Sequence, residues 1–114
     1  MNKLDAIMSY VALAYKAGKV MIGTEGCIDA LQKHKAQYII LAHDASTRTQ
    51  DDIDKKAFFY HIPVNKDYGS SDIEHALGRN TCKVVTIIDK GFADAIAKAI
   101  EKKVKDMEEM RHGS

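Results

Sequence analysis

The sequence has few of the residues that build cross-links or span membranes. Its 114 residues include two cysteines, Cys27 and Cys82, which stand far apart and without the spacing of metal ligands. A scaffold held together by disulfides is thereby excluded, and we expect reduced thiols and a cytoplasmic location. The longest apolar runs are about five residues, against the roughly 20 needed to cross a bilayer, so we expect no membrane partner.

The chain also lacks an excess of either charge. Its formal net charge is +1, with 46% hydrophobic and 29% charged residues, which is the balance of a soluble globular domain. Because no basic field covers the whole chain, any contact with nucleic acid has to be a local patch. The length fits one domain with a single hydrophobic core.

Signatures of catalysis are missing as well. The sequence contains no Gly-x-Ser-x-Gly elbow, no phosphate loop ending in Gly-Lys-Ser/Thr and no Gly-x-Gly-x-x-Gly. Five histidines are scattered, and none is paired with another histidine or a cysteine at helical spacing: His34, His43, His61, His75 and His112. His43 and Asp44 follow a predicted strand, where α/β proteins place ligands, but Asp44 fits better as the cap of the next segment. We therefore predict a protein that is not an enzyme and holds no metal and no cofactor.

What is present is an alternation of amphipathic helices with short apolar strands. The first helix begins near Asn2 or Asp5 and ends at Ala17, and four more are predicted at 24–34, 50–60, 70–78 and 89–105. Strands are predicted at 20–22, 38–42, 62–64 and 84–88. This order predicts an α/β fold, a three-layer α/β/α sandwich with five helices around a small central mixed sheet of about four short strands. We expect a single domain over 1–105 and a charged, frayed C-terminal tail over 106–114.

Individual residues refine these boundaries. Thr24 is predicted to cap the second helix and Asp89 the fifth, and Ser70 or Ser71 the fourth. Gly78 follows a helix end, where a left-handed residue is favoured. Helical spacing predicts the positions that face the core in the third and fifth helices: Ile53, Ala57 and Phe58, then Phe92, Ile96, Ile100 and Val104. The proline in 62–64 favours an edge strand.

The turn at Gly23 and Thr24 gives the strongest indication of function. A glycine directly before a helix start leaves several backbone N–H groups unpaired, and such a terminus attracts anions, phosphates included. Cations that could join it at one edge of the sheet are Lys16, Lys19, Arg79 and Lys83. These cations suit contacts to a phosphate backbone, and they equally suit helix C-termini and a soluble surface. Both interpretations stay open on chemistry alone.

The arrangement of short motifs resembles a known family. The motifs are Ala17-Gly18-Lys19, Gly23-Thr24, the run from Tyr38 to Ser46, Ile62-Pro63-Val64, Ala76-Leu77-Gly78 and the run from Val84 to Ile88. Together they resemble the kink-turn-binding ribosomal proteins, namely the large-subunit proteins seven-Ae and thirty-e and especially their small bacterial relatives. The likeness runs from about Leu4 to Ile100, and no single motif in it is long.

The resemblance implies an α/β/α sandwich that binds kink-turn RNA, a sharp bend in a duplex next to tandem sheared G·A pairs. In this family the Gly-Thr turn and the following helix enter the widened groove, and the loop after the Leu-Gly helix end holds an extruded base. Carried over, the implied RNA-binding residues are Lys19, Gly23, Thr24, Glu25, Gly26, Asp29, Asp44, Gly78, Arg79, Asn80 and Lys83.

The match at these positions is incomplete. Gly23 and Thr24 agree with the family, but Glu25, Gly26 and Asp29 stand where typical binders carry polar or basic side chains. Two of the three put carboxylates where RNA phosphates would lie, and a buried like-charge contact can cost several kcal/mol. In the second loop, the family's first Leu-Gly pair is replaced by Ile73-Glu74.

We therefore predict a non-enzymatic RNA-binding module, associated with the ribosome or with translation, that carries a degraded kink-turn signature. Its expected partner is a structured RNA, kink-turn-like or ribosomal, and not DNA. The alternative is a protein–protein interaction module on the same scaffold that has lost RNA binding, so a protein partner stays open. Salt dependence separates the two, because phosphate contacts weaken as salt rises and an apolar protein interface shows little such slope.

Overall fold

The computed structural model describes residues 5–80 and 82–112, the last two as backbone alone. The first helix, α1 (Ala6–Lys16), begins at Asp5, whose carboxylate accepts a hydrogen bond from the Met8 backbone N–H at 2.8 Å. One face of the helix is buried by Ile7, Met8, Val11 and Ala14. The three- and four-residue spacing predicts Ile7, Met8 and Val11, whereas Tyr15, predicted on the same face, is only partly buried. Leu4, which shares the predicted face, lies outside the described residues. Gly18 follows the helix with φ of +72°, the left-handed conformation expected after a helix end.

The four short strands form one mixed sheet. They are β1 (Val20–Ile22), β2 (Tyr38–Leu41), β3 (Val64–Asn65) and β4 (Val84–Ile87), in the spatial order β1-β4-β2-β3. The strand β4 is antiparallel to both β1 and β2, and β3 runs parallel to β2. Every residue of β2 and β4 is buried, because both faces of these central strands are covered. The strand β3 lies at an edge of the sheet, and it begins directly after Pro63, so the strand predicted at 62–64 is found at 64–65.

Helices cover both faces of this sheet. The remaining four are α2 (Gly23–Gln32), α3 (Thr47–Tyr60), α4 (Ser70–Leu77) and α5 (Lys90–His112). The helix α2 packs on α3 and β4, whereas α1 packs on α4 and α5, and α5 also contacts β4. The three-layer sandwich with five helices and a four-stranded mixed sheet is therefore confirmed. Cys27 and Cys82 are both buried in its core as free thiols.

The second and third helices begin earlier than the sequence predicts. Thr24 is not the cap of α2, because the helix starts at Gly23, follows Ile22 directly and has no side-chain cap. Gly23 has a left-handed φ of +85° at the turn from β1 into α2, and Ile22 takes the capping position instead of Thr24. The helix α3 starts at Thr47 rather than near Gln50, since the Ser46 hydroxyl accepts a hydrogen bond from the Thr49 N–H at 3.1 Å.

The prediction that Phe58 faces the core is wrong. Its side chain is 83% exposed, although Ile53 and Ala57 are buried as predicted. The buried positions of α3 are spaced four residues apart, and Phe58 is displaced from Ala57 by about 100° around the helix axis. The prediction put the adjacent residues Ala57 and Phe58 on one face, but only Ala57 faces the core.

The last helix is longer than predicted. Asp89 caps it as expected, accepting a hydrogen bond from the Phe92 N–H at 3.0 Å. The predicted tail after Lys105 is instead a continuation of α5 to His112, because no glycine or proline interrupts the helix between Phe92 and His112. Val104, predicted to face the core, is 50% exposed on this part of the helix. None of the described helices is both long enough and apolar enough to span a membrane.

Candidate nucleic-acid interface

Three connections meet the sheet at one end of its strands, and we call this end the rim. They are the start of α2 (23–26), the segment after β2 (42–44) and the described part of the loop before β4 (78–80 and 82–83). The strand register sets this arrangement. Ile22, the last residue of β1, pairs with Val85, and Leu41, the last residue of β2, pairs with Val84. The Ala42 N–H then donates to the Lys83 carbonyl at 2.8 Å. The turn at Gly23 and the loop that ends at Lys83 therefore lie at the same end of the strands.

The start of α2 presents backbone N–H groups without a side-chain partner. Ile22 stands at the capping position and forms no side-chain hydrogen bond to the helix. Gly23 has φ of +85°, a conformation that costs about 1–2 kcal/mol for a residue with a Cβ atom. Thr24 is half-buried and Glu25 is exposed. Such a terminus can donate N–H groups to an anion and carries the positive end of the helix dipole.

Gly26 has a packing role in this first turn. A Cβ atom at this position would lie 3.3 Å from the Met21 Cβ, which is closer than ordinary contact. The glycine lets the first turn of α2 approach β1 closely. Its missing side chain is thus explained by the fold as well as by the loss of a family contact.

Two carboxylates stand on one exposed strip of α2. Glu25 and Asp29 are four residues apart and therefore neighbours on the helix surface. Asp29 forms an ion pair with Lys33 at 3.2 Å, and both side chains are about half exposed. An exposed pair of this kind contributes little stability, but the lysine offsets the charge of Asp29 locally. Glu25 has no ion-pair partner within 4.0 Å among the side chains that the structure describes.

The loop before β4 is held at several points. Gly78 ends α4 with φ of +67°, and the Arg79 N–H donates to the Glu74 carbonyl at 3.1 Å. The Glu74 carboxylate in turn accepts the Cys82 N–H at 3.1 Å. The Arg79 guanidinium donates to the Tyr15 hydroxyl at 3.2 Å, which raises the pKa of Arg79 and places its side chain against the last turns of α1. Asn80 and Lys83 are exposed beside it.

Asp44 caps a helix, but a distant one. Its carboxylate accepts the Ser70 N–H at 2.8 Å and the Ser70 hydroxyl at 2.6 Å, so it caps α4 rather than the segment that follows it. The predicted cap of α4, Ser70 or Ser71, is wrong: Gly69 stands at the capping position, and its N–H donates to the Asp72 carboxylate at 3.1 Å.

His43 and Asp44 both contact the start of α4. Hydrogen bonds from Ser70 lower the pKa of the Asp44 carboxyl, and the charge of Lys83 adds to this effect. A Cβ atom at Gly69 would lie 3.2 Å from the His43 ring, so this histidine packs against the start of α4. Both residues thereby hold the rim against the start of α4.

Lys19 does not join the rim. Its carbonyl accepts the Ile88 N–H at 2.9 Å, and its neighbour Val20 pairs with Ile87 at the far end of the same strands. Lys16, at the end of α1, precedes it on that side. The strand β1 lies between Lys19 and Gly23, so the two residues sit at opposite ends of this strand.

Residues that sequence reasoning missed are Tyr15, Ser70 and Glu74. Tyr15 and Ser70 contact the predicted site residues Arg79 and Asp44, which lie 64 and 26 positions away in the chain. Glu74 holds the loop before β4 through Cys82, 8 positions away. Tyr15 appears in the sequence only as part of an apolar helix face. Because its hydroxyl partner is set by the packing of α1 on α4, no local spacing could have identified it.

The sequence of this chain matches a known protein family. Residues 5–105 match the model of the family described as ribosomal protein L7Ae/L30e/S12e/Gadd45. The chain belongs to this family. The match covers the sheet, the whole rim and all helices but the last turns of α5.

Relatives within and around this family cover most of the chain. The RNA-binding protein YlxQ of Enterococcus faecium is 32% identical over 94 residues, which are 82% of this chain and 90% of that protein. The large ribosomal subunit protein eL30 of Tetrahymena thermophila is 26% identical over 94 residues, 81% of this chain and 90% of that protein. A solved structure of a protein with unknown function from Bacillus halodurans superimposes with a TM-score of 0.81 at 26% identity, covering 87% of this chain and 99% of that one.

Among residues 5–80 and 82–112, no group of three or more His, Cys, Asp or Glu side chains stands close enough to hold a metal ion. The rim offers backbone N–H donors, the Thr24 hydroxyl, cations and the carboxylates of Glu25 and Asp44.

Proposed function

We propose that this protein binds a structured RNA through the rim and acts in association with the ribosome or with translation. The single observation that carries the proposal is the start of α2, which has no side-chain cap and lies beside Lys83 at the same end of the strands. The loop that leads to Lys83 carries Arg79 and Asn80. Backbone N–H groups and cations are what protein surfaces use to contact phosphates. The family, with its ribosomal members, supports the same direction.

Within the rim the roles differ by residue. Gly23 and Thr24 bring the N–H groups of α2 up to the RNA backbone, and Lys83 supplies a free positive charge at the adjacent loop. Arg79 contributes a second cation that Tyr15 holds in place. Asp44 orders the rim through Ser70 and makes no contact with phosphate, because its carboxylate is negative and already accepts two hydrogen bonds.

The kink-turn preference of such a surface is weakened by α2. Glu25 and Asp29 present carboxylates next to the N–H groups that would face the bend, and Lys33 offsets only one of them. We infer that the protein still prefers a kinked duplex over a straight one, with a smaller margin than a surface with basic residues at these positions would give. Lys19 takes no part in RNA binding, because it lies at the other end of β1 from the rim.

The test is a binding titration with a kink-turn duplex as the probe, at two salt concentrations. We compare the wild-type chain with the double variant Arg79→Ala and Lys83→Ala, and use Lys19→Ala and Lys55→Ala as controls, which remove exposed lysines away from the rim. The proposal expects the rim variant to bind at least about tenfold more weakly and with a shallower salt slope, and the controls to bind as the wild type does. Equal binding by the rim variant and the controls would contradict the site.

A protein-interaction module that has lost RNA binding is the other outcome of this experiment. It would show no retardation of the duplex at low salt by any of the variants. No observation at the rim favours it, since the exposed groups there are polar or charged.

A further inference from the structure

A groove of about 910 Å³ lies between α1 and α5, and no rim residue lines it. Its apolar lining comes from small or flexible side chains on the two helices: Ala6, Tyr10, Ala95, Ala99, Met107 and Met110. The two methionines are 59% and 78% exposed. A groove with an apolar lining and exposed methionines is the kind of surface that receives an amphipathic helix.

The apolar stripe of α5 continues beyond the body of the domain. Its first half is packed on the core through Phe92, Ile96 and Ile100, and the same stripe then runs into exposed Val104 and Met107. Residues 106–112 also lie beyond the stretch that matches the family model, so this end of the helix is additional to the family domain. Apolar side chains that keep helical spacing on an exposed helix end indicate a missing helical neighbour.

The charges that line the groove are balanced. Three are acidic and three basic: Asp5, Asp94 and Asp106 against Lys98, Lys102 and Lys103. A strongly acidic or strongly basic partner would leave half of them facing like charge, whereas a second copy of this chain brings the same balanced set. A second copy of this chain therefore fits the balanced charge of the groove.

Two of these charges match across a two-fold axis. Lys102 and Asp106 are four residues apart on the strip of α5 that lines the groove, so two antiparallel α5 helices that cross midway between them set Lys102 of each copy level with Asp106 of the other. Neither residue has an ion-pair partner within 4.0 Å among the side chains described for residues 5–80 and 82–110. Lys103, by contrast, is turned inward and lies 3.7 Å from the Asp5 carboxylate. The same crossing brings Met110 beside Ala99 of the second copy.

We propose that this chain forms a two-fold symmetric dimer through the groove between α1 and α5. The two α5 helices cross antiparallel midway between Lys102 and Asp106, and Met107 and Met110 of each copy enter the groove of the other. Such an interface is isologous, because the same surface serves both chains. It goes beyond the RNA proposal and does not depend on it, since the two surfaces share no residue.

Sedimentation velocity on the full chain tests this, from about 1 µM to about 200 µM. The wild-type chain is expected to reach twice the mass of one chain as the concentration rises. The double variant Met107→Glu and Met110→Glu is expected to associate at least about tenfold more weakly. Its matched control is Lys105→Glu, which changes the net charge by the same amount on the opposite side of the helix and keeps the dimer. Circular dichroism of each variant checks that the helix is retained.

A charge exchange tests the antiparallel arrangement. Lys102→Glu alone and Asp106→Lys alone each place like charges across the two-fold axis and weaken the dimer, whereas the double exchange restores it. A wild-type chain that stays monomeric throughout, or a methionine variant that associates as the wild type does, overturns the proposal. A dimer that is insensitive to all three exchange variants overturns the antiparallel crossing.

Discussion

The carboxylate of Asp44 and the first residue of α4, Ser70, are joined by two hydrogen bonds of 2.8 Å and 2.6 Å across 26 positions of the chain. They tie the segment after β2 to the start of α4 at the rim. The positive charge of Lys83 lowers the Asp44 pKa further. One exposed acid thereby fixes two of the connections that shape the proposed RNA surface.

Replacing Asp44 with alanine should lower the melting temperature at pH 7, and Ser70→Ala should lower it less, because the Ser70 N–H keeps its acceptor in that variant. The pKa of Asp44 is lowered in the fold, so its contribution is present at neutral pH and lost as the pH falls through that lowered value. Thermal unfolding by circular dichroism at pH 7 and in acid checks both points. A difference from wild type that persists undiminished in acid would contradict the assignment.

Asp5 makes the corresponding connection at the start of α1. Burial alone would raise its pKa, but the hydrogen bonds from Met8 and from the Tyr68 hydroxyl (2.6 Å), with the charge of Lys103, outweigh burial and lower it. Asp5→Ala should cost about 1–2 kcal/mol in the free energy of unfolding at pH 7, the range of a lost helix cap. Urea titration measures this, with exposed Asp51→Ala as the control.

The sign of the pH dependence follows from the lowered pKa. Asp5 stabilises the fold above the ordinary carboxyl pKa, near 4, and this contribution is lost as the pH falls below about that value. The gap between wild type and Asp5→Asn should therefore close in acid. A gap that widens as the pH falls would show that the carboxylate is not stabilised by these partners.

Phe58 and Ile53 provide a matched test of the burial of α3. Phe58→Ala should change the free energy of unfolding by less than about 0.5 kcal/mol, because the ring is already in water. Ile53→Ala should cost about 2–4 kcal/mol, since it leaves a cavity in the core. Urea titration of both variants decides this, and a large loss for Phe58→Ala would restore the inward orientation that the sequence predicts.

These residues also show what a sequence can predict here. The continuous apolar runs of β2 and β4, the left-handed Gly78 and the capping Asp89 are local signals, and each was read correctly. The partner of Asp44 and the partner of Arg79 depend on how distant helices pack, so no local pattern contains them. The orientation of Phe58 fails for a different reason, because hydrophobicity alone does not fix the phase of a helix to within one residue.

Tyr15 should matter to RNA binding through Arg79. Tyr15→Phe removes the hydroxyl that holds the guanidinium and leaves the charge, so binding to a kink-turn duplex should weaken by about twofold to threefold. Arg79→Ala removes the charge as well and should weaken binding by about threefold to tenfold, with a salt slope lower by about one. Fluorescence anisotropy at several salt concentrations measures both. Equal losses in the two variants, with unchanged slope, would mean that Arg79 does not reach phosphate.

Asp29 should oppose RNA binding. Asp29→Lys removes a carboxylate from the exposed strip of α2, frees Lys33 from its ion pair and should strengthen binding by about threefold or more. Asp51→Lys makes the same charge change on exposed α3 and serves as the control for a general charge effect. If Asp29→Lys binds no more tightly than Asp51→Lys while RNA still binds, the surface carried over from the family is wrong.

The central claim is that the rim reads a bent RNA duplex. The most direct measurement compares the affinity of the unmodified chain for a kink-turn duplex with that for a straight duplex of equal length, at two salt concentrations. We expect the kink-turn duplex to bind more tightly at both salt concentrations, and the affinity for both duplexes to fall as the salt concentration rises. Equal affinity for the two duplexes, or no binding to either at low salt, would contradict it.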